Sequence, residues 1–200
     1  MMRMTTALGV LLLSFGVHAA EYRIDPVHTR VSFSADHAGF SQAIGTFSAP
    51  RGRLSFDPDD WTQAELEVEL DVATLDLGDA DWNERMLRRD FLDAERHPLA
   101  RFTSTRVEAI DGRRANVHGE LSLAGRVQPL TLEVTLNRLA PHPMNMRRTA
   151  GFSARATLSR HAFGISAWPK LIADEVTLRI EVEAQRSRKP RDDESDATEE

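Results

Sequence analysis

Histidines are the side chains in this sequence that could act as general bases or metal ligands. Beyond the first twenty residues they are His28, His37, His97, His118, His142 and His161. None belongs to an HExxH helix, and the sequence has no GxSxG turn and no cysteine. The residues therefore predict no catalytic centre, no metal site and no cofactor. An enzyme that uses His37 or His28 as a general base on a hydrophobic substrate stays as an alternative.

Arginines are the second set of residues that could recognise a ligand. Arg85, Arg88 and Arg89 alternate with acidic residues, so one interpretation is a solvated face held by salt bridges. The other is that one or two of them hold a phosphate, because a guanidinium group pairs bidentately with phosphate oxygens. Arg160 is a similar candidate.

His37 shares one face of an alternating segment with Val31 and Phe33. This position predicts a side chain that points inward. It is either a hydrogen-bonded interior histidine or a contact to the polar head of a ligand.

Aromatic residues recur through the chain and could form either a plain core or an apolar ligand pocket. Burial of an apolar chain contributes about 0.8 kcal/mol per methylene group, so such a pocket could bind a lipid tail tightly. The aromatic candidates for ligand contact are Phe33, Phe47, Trp82, Phe91, Phe102, Phe152 and Phe163.

Most of the chain alternates apolar and polar residues with a period of two, which predicts half-buried strands. The clearest case is 64–72, where Leu66, Val68 and Leu70 alternate with acidic residues. Other strands are predicted from Val27 to His37, Ser41 to Phe56 with a sharp corner or break, Leu99 to Ile110, Arg114 to Leu123, Val127 to Leu139, Gly151 to Ser159 and Glu175 to Ala184.

The segment from Asn83 to Phe102 interrupts this alternation. Asp81 followed by Glu84 is a plausible N-terminal cap, and Pro98 limits any helix, so the sequence predicts one short helix over 81–89. Its apolar stripe is expected to anchor a lid or plug across the strands and comprises Trp82, Met86, Leu87 and Phe91.

About eight strands joined mostly by short turns predict an all-β protein, an antiparallel barrel or a sandwich with one short helix. An eight-stranded barrel leaves an interior that holds either packed side chains or one small or slender ligand.

The N-terminus has the features of a secretory signal peptide over residues 1–19. Arg3 precedes an apolar run, 7–17, and small residues follow at Ala19 and Ala20. The run is shorter than the ~20 residues needed to span a bilayer. We therefore expect a periplasmic protein without a stable membrane anchor, whose barrel domain comprises residues 20–185.

The net charge of the chain limits the classes of molecule that it is expected to bind. The formal charge of −6 argues against nucleic-acid binding, which requires clustered Lys and Arg. Residues 186–200 are basic and then acidic with almost no apolar side chains, which predicts a disordered tail. A barrel that serves only as scaffold for a stress-related interaction module, with the tail as its contact, is a further alternative.

The sequence resembles the YceI-like polyisoprenoid-binding family over Tyr22 to about Ala184. The matching motifs, in order, are YRIDPVHTRVSFSADHAGFSQAIGTF, NER with RRDFLDAERHPLARFTS, GELSLAGRVQPLTLEV, GFSARATLSRHAFGI and DEVTLRIEVEA. Five motifs in the right order are specific, although each alone is a loose pattern.

The resemblance implies a lipocalin-like barrel that holds a long isoprenoid or related amphiphilic lipid for transport, storage or sequestration in the periplasm. It implies no catalytic residues, and a homodimer is expected on this resemblance alone. One departure is Met86, which occupies a position where the family usually has histidine.

Overall fold

The computed structural model describes residues 19–187. The predicted signal peptide and tail therefore lie almost wholly outside the described residues. At the boundary of the predicted tail, Arg186 ends the last strand, and the Ser187 N–H donates to the carbonyl of Glu21 at 2.7 Å. Among residues 19–187, no helix is long and apolar enough to cross a membrane.

Residues 19–187 form one antiparallel sheet of ten strands with one α-helix. The strands are β1 (Ala20–Ile24), β2 (Arg30–His37), β3 (Ser41–Ser48), β4 (Arg51–Phe56), β5 (Glu65–Asp71), β6 (Leu99–Ala109), β7 (Arg114–Leu123), β8 (Arg126–Pro141), β9 (Arg148–Ser159) and β10 (Ile172–Arg186), and the helix is α1 (Ala80–Leu87).

The sheet closes because β1 pairs with both β4 and β10, which completes the ring β1, β4, β5, β6, β7, β8, β9, β10. The hairpin of β2 and β3 continues along the same edge of β10, from Ile172 opposite His37 to Glu181 opposite Arg30. From Ala184 onward the same edge of β10 pairs with β1, beginning with Ala184 opposite Ile24. β1 with β2, and β3 with β4, therefore act as two broken strands, and the predicted eight-stranded antiparallel barrel is confirmed.

Thr29 fills the gap where β10 changes partner. Its hydroxyl accepts from the Glu183 N–H at 3.2 Å, while the Asp25 N–H donates to the Glu183 carbonyl at 2.8 Å. Thr29 is only 2% exposed, so its hydrogen bonds satisfy polar groups that burial would otherwise leave unpaired. We call residues 25–29 together with Glu183 the seam.

The sequence reasoning missed β1, and it placed the helix differently. α1 covers Ala80–Leu87 rather than 81–89, and its cap is Asp79, whose carboxylate accepts from the Trp82 N–H at 2.9 Å. The helix ends because Arg88 is extended, with φ −69° and ψ 166°. Between β3 and β4 the chain turns at Ala49 and Pro50, which confirms the predicted break in 41–56.

Two apolar clusters fill the barrel. The larger contains inward side chains of most strands, and its aromatic members are Tyr22, Phe56, Trp61, Phe102 and Phe152. The smaller lies at the barrel end where β7 turns into β8 and β9 leads to β10, and its buried members are Phe91, Phe163 and Ile165. We call this smaller cluster the plug.

Candidate functional site

The barrel encloses a cavity of about 210 Å³. Its walls are inward side chains of several strands, including Leu66, Val68 and Leu70 of β5, whose acidic neighbours are exposed as predicted. Among the described residues, Thr29 and Arg101 are the polar side chains that line it. Such a site recognises apolar surface, because it offers almost no hydrogen-bonding groups to a ligand.

One end of the cavity is closed by aromatic side chains. Trp61 contacts the ring of Phe56, with ring centres 5.0 Å apart, and that of Phe152, with ring centres 6.3 Å apart, both edge to face. Trp61 is 5% exposed and sits in a short 3-10 turn capped by Asp60. Sequence reasoning missed this residue, although a Trp directly after a run of turn residues was a usable signal.

The plug closes the other end. Met86 and Leu92 pack against its buried residues, and so do Leu121, Leu123 and Leu158, which also line the cavity. Phe91 and Leu92, which follow α1, therefore lie behind these leucines and are not among the residues that line the cavity. Of the predicted apolar stripe, Met86 and Phe91 belong to the plug, whereas Trp82 is 46% exposed.

Most of the aromatic residues predicted to contact a ligand fall into two groups, at the cavity and in the plug. Phe47, Phe102 and Phe152 line the cavity, and Phe33 packs on Phe47 with ring centres 5.4 Å apart. Phe91 and Phe163 belong to the plug.

Trp82 lies outside these two groups, because it is 46% exposed and contacts His37, with ring centres 5.9 Å apart. His37 is half-buried at the end of β2, and it is not among the residues that line the cavity. The predicted inward histidine thus lies at the barrel end, where it meets α1.

The three arginines near α1 have different surroundings. Arg85 lies over the rings of Phe91 and Trp168 and pairs with Asp90. Arg88 is exposed and pairs with Glu84, which raises the pKa of Arg88. Arg89 is exposed on the surface.

Arg160 is buried and bonds to the backbone. Its guanidinium donates to the carbonyls of Ile165, Ala167, Ile172 and Ala173 at 2.7 to 2.9 Å. Burial lowers the pKa of Arg160, partly opposed by Asp174. Four of its five N–H groups are committed, two to the loop between β9 and β10 and two to the start of β10, so Arg160 fixes the loop that supports the plug against β10.

The fold and the sequence both have close counterparts. The YceI-like domain model matches residues 22–184. A UPF0312 protein of Pseudomonas putida is 35% identical over 185 residues, which cover 91% of this chain and 95% of the relative.

Solved structures with the same fold support this family match. Burkholderia cenocepacia BcnA is 26% identical with a TM-score of 0.73 and covers 80% of this chain and 98% of its own. A polyisoprenoid binding domain from Saccharophagus degradans, implicated in plant cell wall breakdown, shares the fold at 14% identity, with a TM-score of 0.61 over 85% of this chain and all of its own. The chain therefore belongs to the family of proteins with a YceI-like domain, as its five sequence motifs predicted.

Proposed function

We propose that the protein binds a long isoprenoid or related amphiphilic lipid, with the apolar tail inside the barrel. The observation that carries this proposal is the apolar cavity between Trp61 and the plug. The structural neighbour described as a polyisoprenoid binding domain supports the ligand class. The role is transport, storage or sequestration of the lipid.

The cavity size indicates how a long tail would be held. Its 210 Å³ exceeds the ~150 Å³ that accepts a benzene-sized molecule, but a long tail requires more space. Binding therefore requires side chains of the plug to move outward. The polar head would lie at that end, near His37 and Arg85.

A catalytic role has no comparable support in the geometry. None of the residues that line the cavity within 19–187 is a histidine, so His37 and His28 would not meet a tail held there. Binding is therefore the function that the described residues support best.

Lipid extraction tests the proposal directly. Protein purified from its native host is extracted with organic solvent, and the extract is analysed by mass spectrometry. We expect a stoichiometric isoprenoid or similar amphiphile. Protein that yields no lipid and does not bind added polyprenols would contradict the proposal.

A matched pair of variants locates the ligand. Ala154 on β9 lines the cavity, whereas Thr157 on the same strand is exposed. Ala154→Phe should reduce polyprenol binding at least tenfold, because the ring occupies the ligand space, while Thr157→Phe should leave binding unchanged. Circular dichroism of both variants checks that the fold is retained.

Export to the periplasm is a separate part of the proposal. We expect the mature chain to begin near Ala20 or Glu21, because small residues follow the apolar run. Cell fractionation measures the location of the protein, and mass spectrometry of the intact protein measures where its chain begins. An uncleaved cytoplasmic chain would contradict the proposed export. Sedimentation of the same sample tests the expected homodimer.

A further inference from the structure

The seam places two carboxylates and one imidazole together on the outside of the barrel. Asp25 and His28 lie in the loop between β1 and β2, and Glu183 lies opposite them on β10. Potential ligand atoms of the three side chains all lie within 4.8 Å of one another. Within residues 19–187 this is the one such cluster of three or more acidic or histidine side chains.

The cluster contains one buried carboxylate oxygen on a partly buried side chain. Glu183 Oε2 is inaccessible to solvent and has no hydrogen-bond partner among the described residues. Asp25 stands beside it with a side chain only 12% exposed. Two carboxylates this close repel each other, so a cation between them is favourable, and either protonated His28, which pairs with Asp25, or a metal ion supplies it.

The positions of Asp25 and His28 suit metal coordination. His28 Nδ1 lies 2.9 Å from Asp25 Oδ2, which is a hydrogen-bond distance, and this is also close to the ~3.0 Å between two adjacent ligands of an octahedral ion with bonds of ~2.1 Å. Gln185 Nε2 donates to the same Asp25 oxygen at 3.0 Å, and the Val27 N–H donates to Asp25 Oδ1 at 2.9 Å. These bonds fix the carboxylate, as outer-shell partners do at metal sites.

Among the described residues, His28 is the cationic partner of Asp25, and its hydrogen bond to Asp25 raises the pKa of His28, so a metal ion bound here would replace the imidazole proton. The guanidinium of Arg30 donates to the carbonyls of Pro26, Val27 and Thr29 rather than to either carboxylate. The His28 side chain is 55% exposed, so an ion and its water ligands can approach from solvent.

The geometry points to a divalent metal site formed by Asp25, His28 and Glu183, with waters at the remaining positions. One imidazole and two carboxylates suit an ion of the zinc or manganese type. The ion would link the loop between β1 and β2 to β10, where the ring closes. The adjacent residue, Thr29, lines the cavity, so the metal would stabilise the barrel wall beside the ligand. This inference is independent of the proposed lipid binding.

Metal titration of the untagged, chelator-treated mature protein tests the site. We expect calorimetry with Zn²⁺ or Mn²⁺ alone to show one equivalent bound and scanning calorimetry to show a higher melting temperature. Glu183→Gln and His28→Ala should each weaken binding at least tenfold. His161→Ala is the matched control, because His161 also faces a carboxylate, Asp174, with Nδ1 3.3 Å from Oδ1, and it should not change binding.

Two results would overturn the inference. One is the absence of stoichiometric binding of either ion at millimolar concentration, which would leave protonated His28 as the neutralising charge. The other is binding that persists unchanged in Glu183→Gln, which would place the ion elsewhere. Circular dichroism of each variant separates loss of the site from loss of the fold.

Discussion

The guanidinium carbon of Arg85 lies 4.7 Å from the centre of the Trp168 ring. The same group lies 5.4 Å from the centre of the Phe91 ring, and the Phe91 and Trp168 rings meet edge to face. Arg85 therefore bridges the segment after α1 and the loop between β9 and β10. Both segments contribute buried residues to the plug, so this contact holds the barrel end closed.

Removal of this bridge should make the plug easier to open. A cation–π contact contributes about 0.5–1 kcal/mol, so Arg85→Ala should accelerate ligand dissociation by roughly two- to fivefold. Stopped-flow fluorescence with a fluorescent isoprenoid analogue measures this rate. Arg88→Ala is the control, because Arg88 is exposed and pairs with Glu84, one turn earlier in the helix.

The other interpretation of Arg85, as a contact to a ligand head group, predicts a different result for the same variant. If Arg85 holds a phosphate head group, Arg85→Ala should weaken binding of the phosphorylated lipid far more than that of the free alcohol. Equal effects on the two ligands support the role in the plug, and a selective loss for the phosphate contradicts it.

Arg160 should be essential for stability. Arg160→Met leaves four backbone carbonyls without their donor, and each unsatisfied acceptor costs about 1–3 kcal/mol, so we expect a loss of at least ~3 kcal/mol in the free energy of unfolding. Urea unfolding measures this. Arg155→Met on the same strand is the control, because Arg155 is exposed, and similar losses in both variants would contradict the structural role.

Arg160 shows why the candidate site was only partly predictable. An arginine after a strand is usually exposed, and its sequence neighbours do not indicate that the loop over 160–171 and the start of β10 fold around it. The strands, by contrast, were predictable because alternation is local: Leu66, Val68 and Leu70 line the cavity as their spacing requires.

The closure of the barrel was also beyond local reasoning. It depends on Glu183, whose backbone groups bond to Asp25 and Thr29 more than 150 residues earlier. β1 was missed because it has only five residues and directly follows the predicted cleavage site. The family motifs supplied the fold where the periodicity left barrel and sandwich open.

Gly119 allows Phe102 to lie flat against the barrel wall. A Cβ atom at position 119 would lie 2.5 Å from Phe102 Cζ and 2.4 Å from the Thr103 carbonyl oxygen. Gly119→Ala should therefore push the ring into the cavity, weaken polyprenol binding, and cost about 1–3 kcal/mol of stability.

Equilibrium binding and urea unfolding measure the two effects. Gly112→Ala is the matched control, because no heavy atom of a packing neighbour within residues 19–187 lies within 4 Å of a Cβ added at position 112. Unchanged binding in Gly119→Ala would mean that Phe102 does not limit the ligand space.

Acid should weaken the link between β9 and β10. Hydrogen bonds from the His161 N–H and the Ser159 hydroxyl lower the pKa of Asp174 below its ordinary value of 3.8, although partial burial opposes them. A lowered folded-state pKa contributes stability that is fully present above the unfolded value, and that stability is lost as the pH falls through the folded value. Urea unfolding between pH 7 and pH 2 should show a smaller acid loss for Asp174→Asn than for the wild type. Glu133→Gln, at an exposed position on β8, should retain the wild-type loss, and a wild-type profile in Asp174→Asn would show that this carboxylate does not set the acid sensitivity.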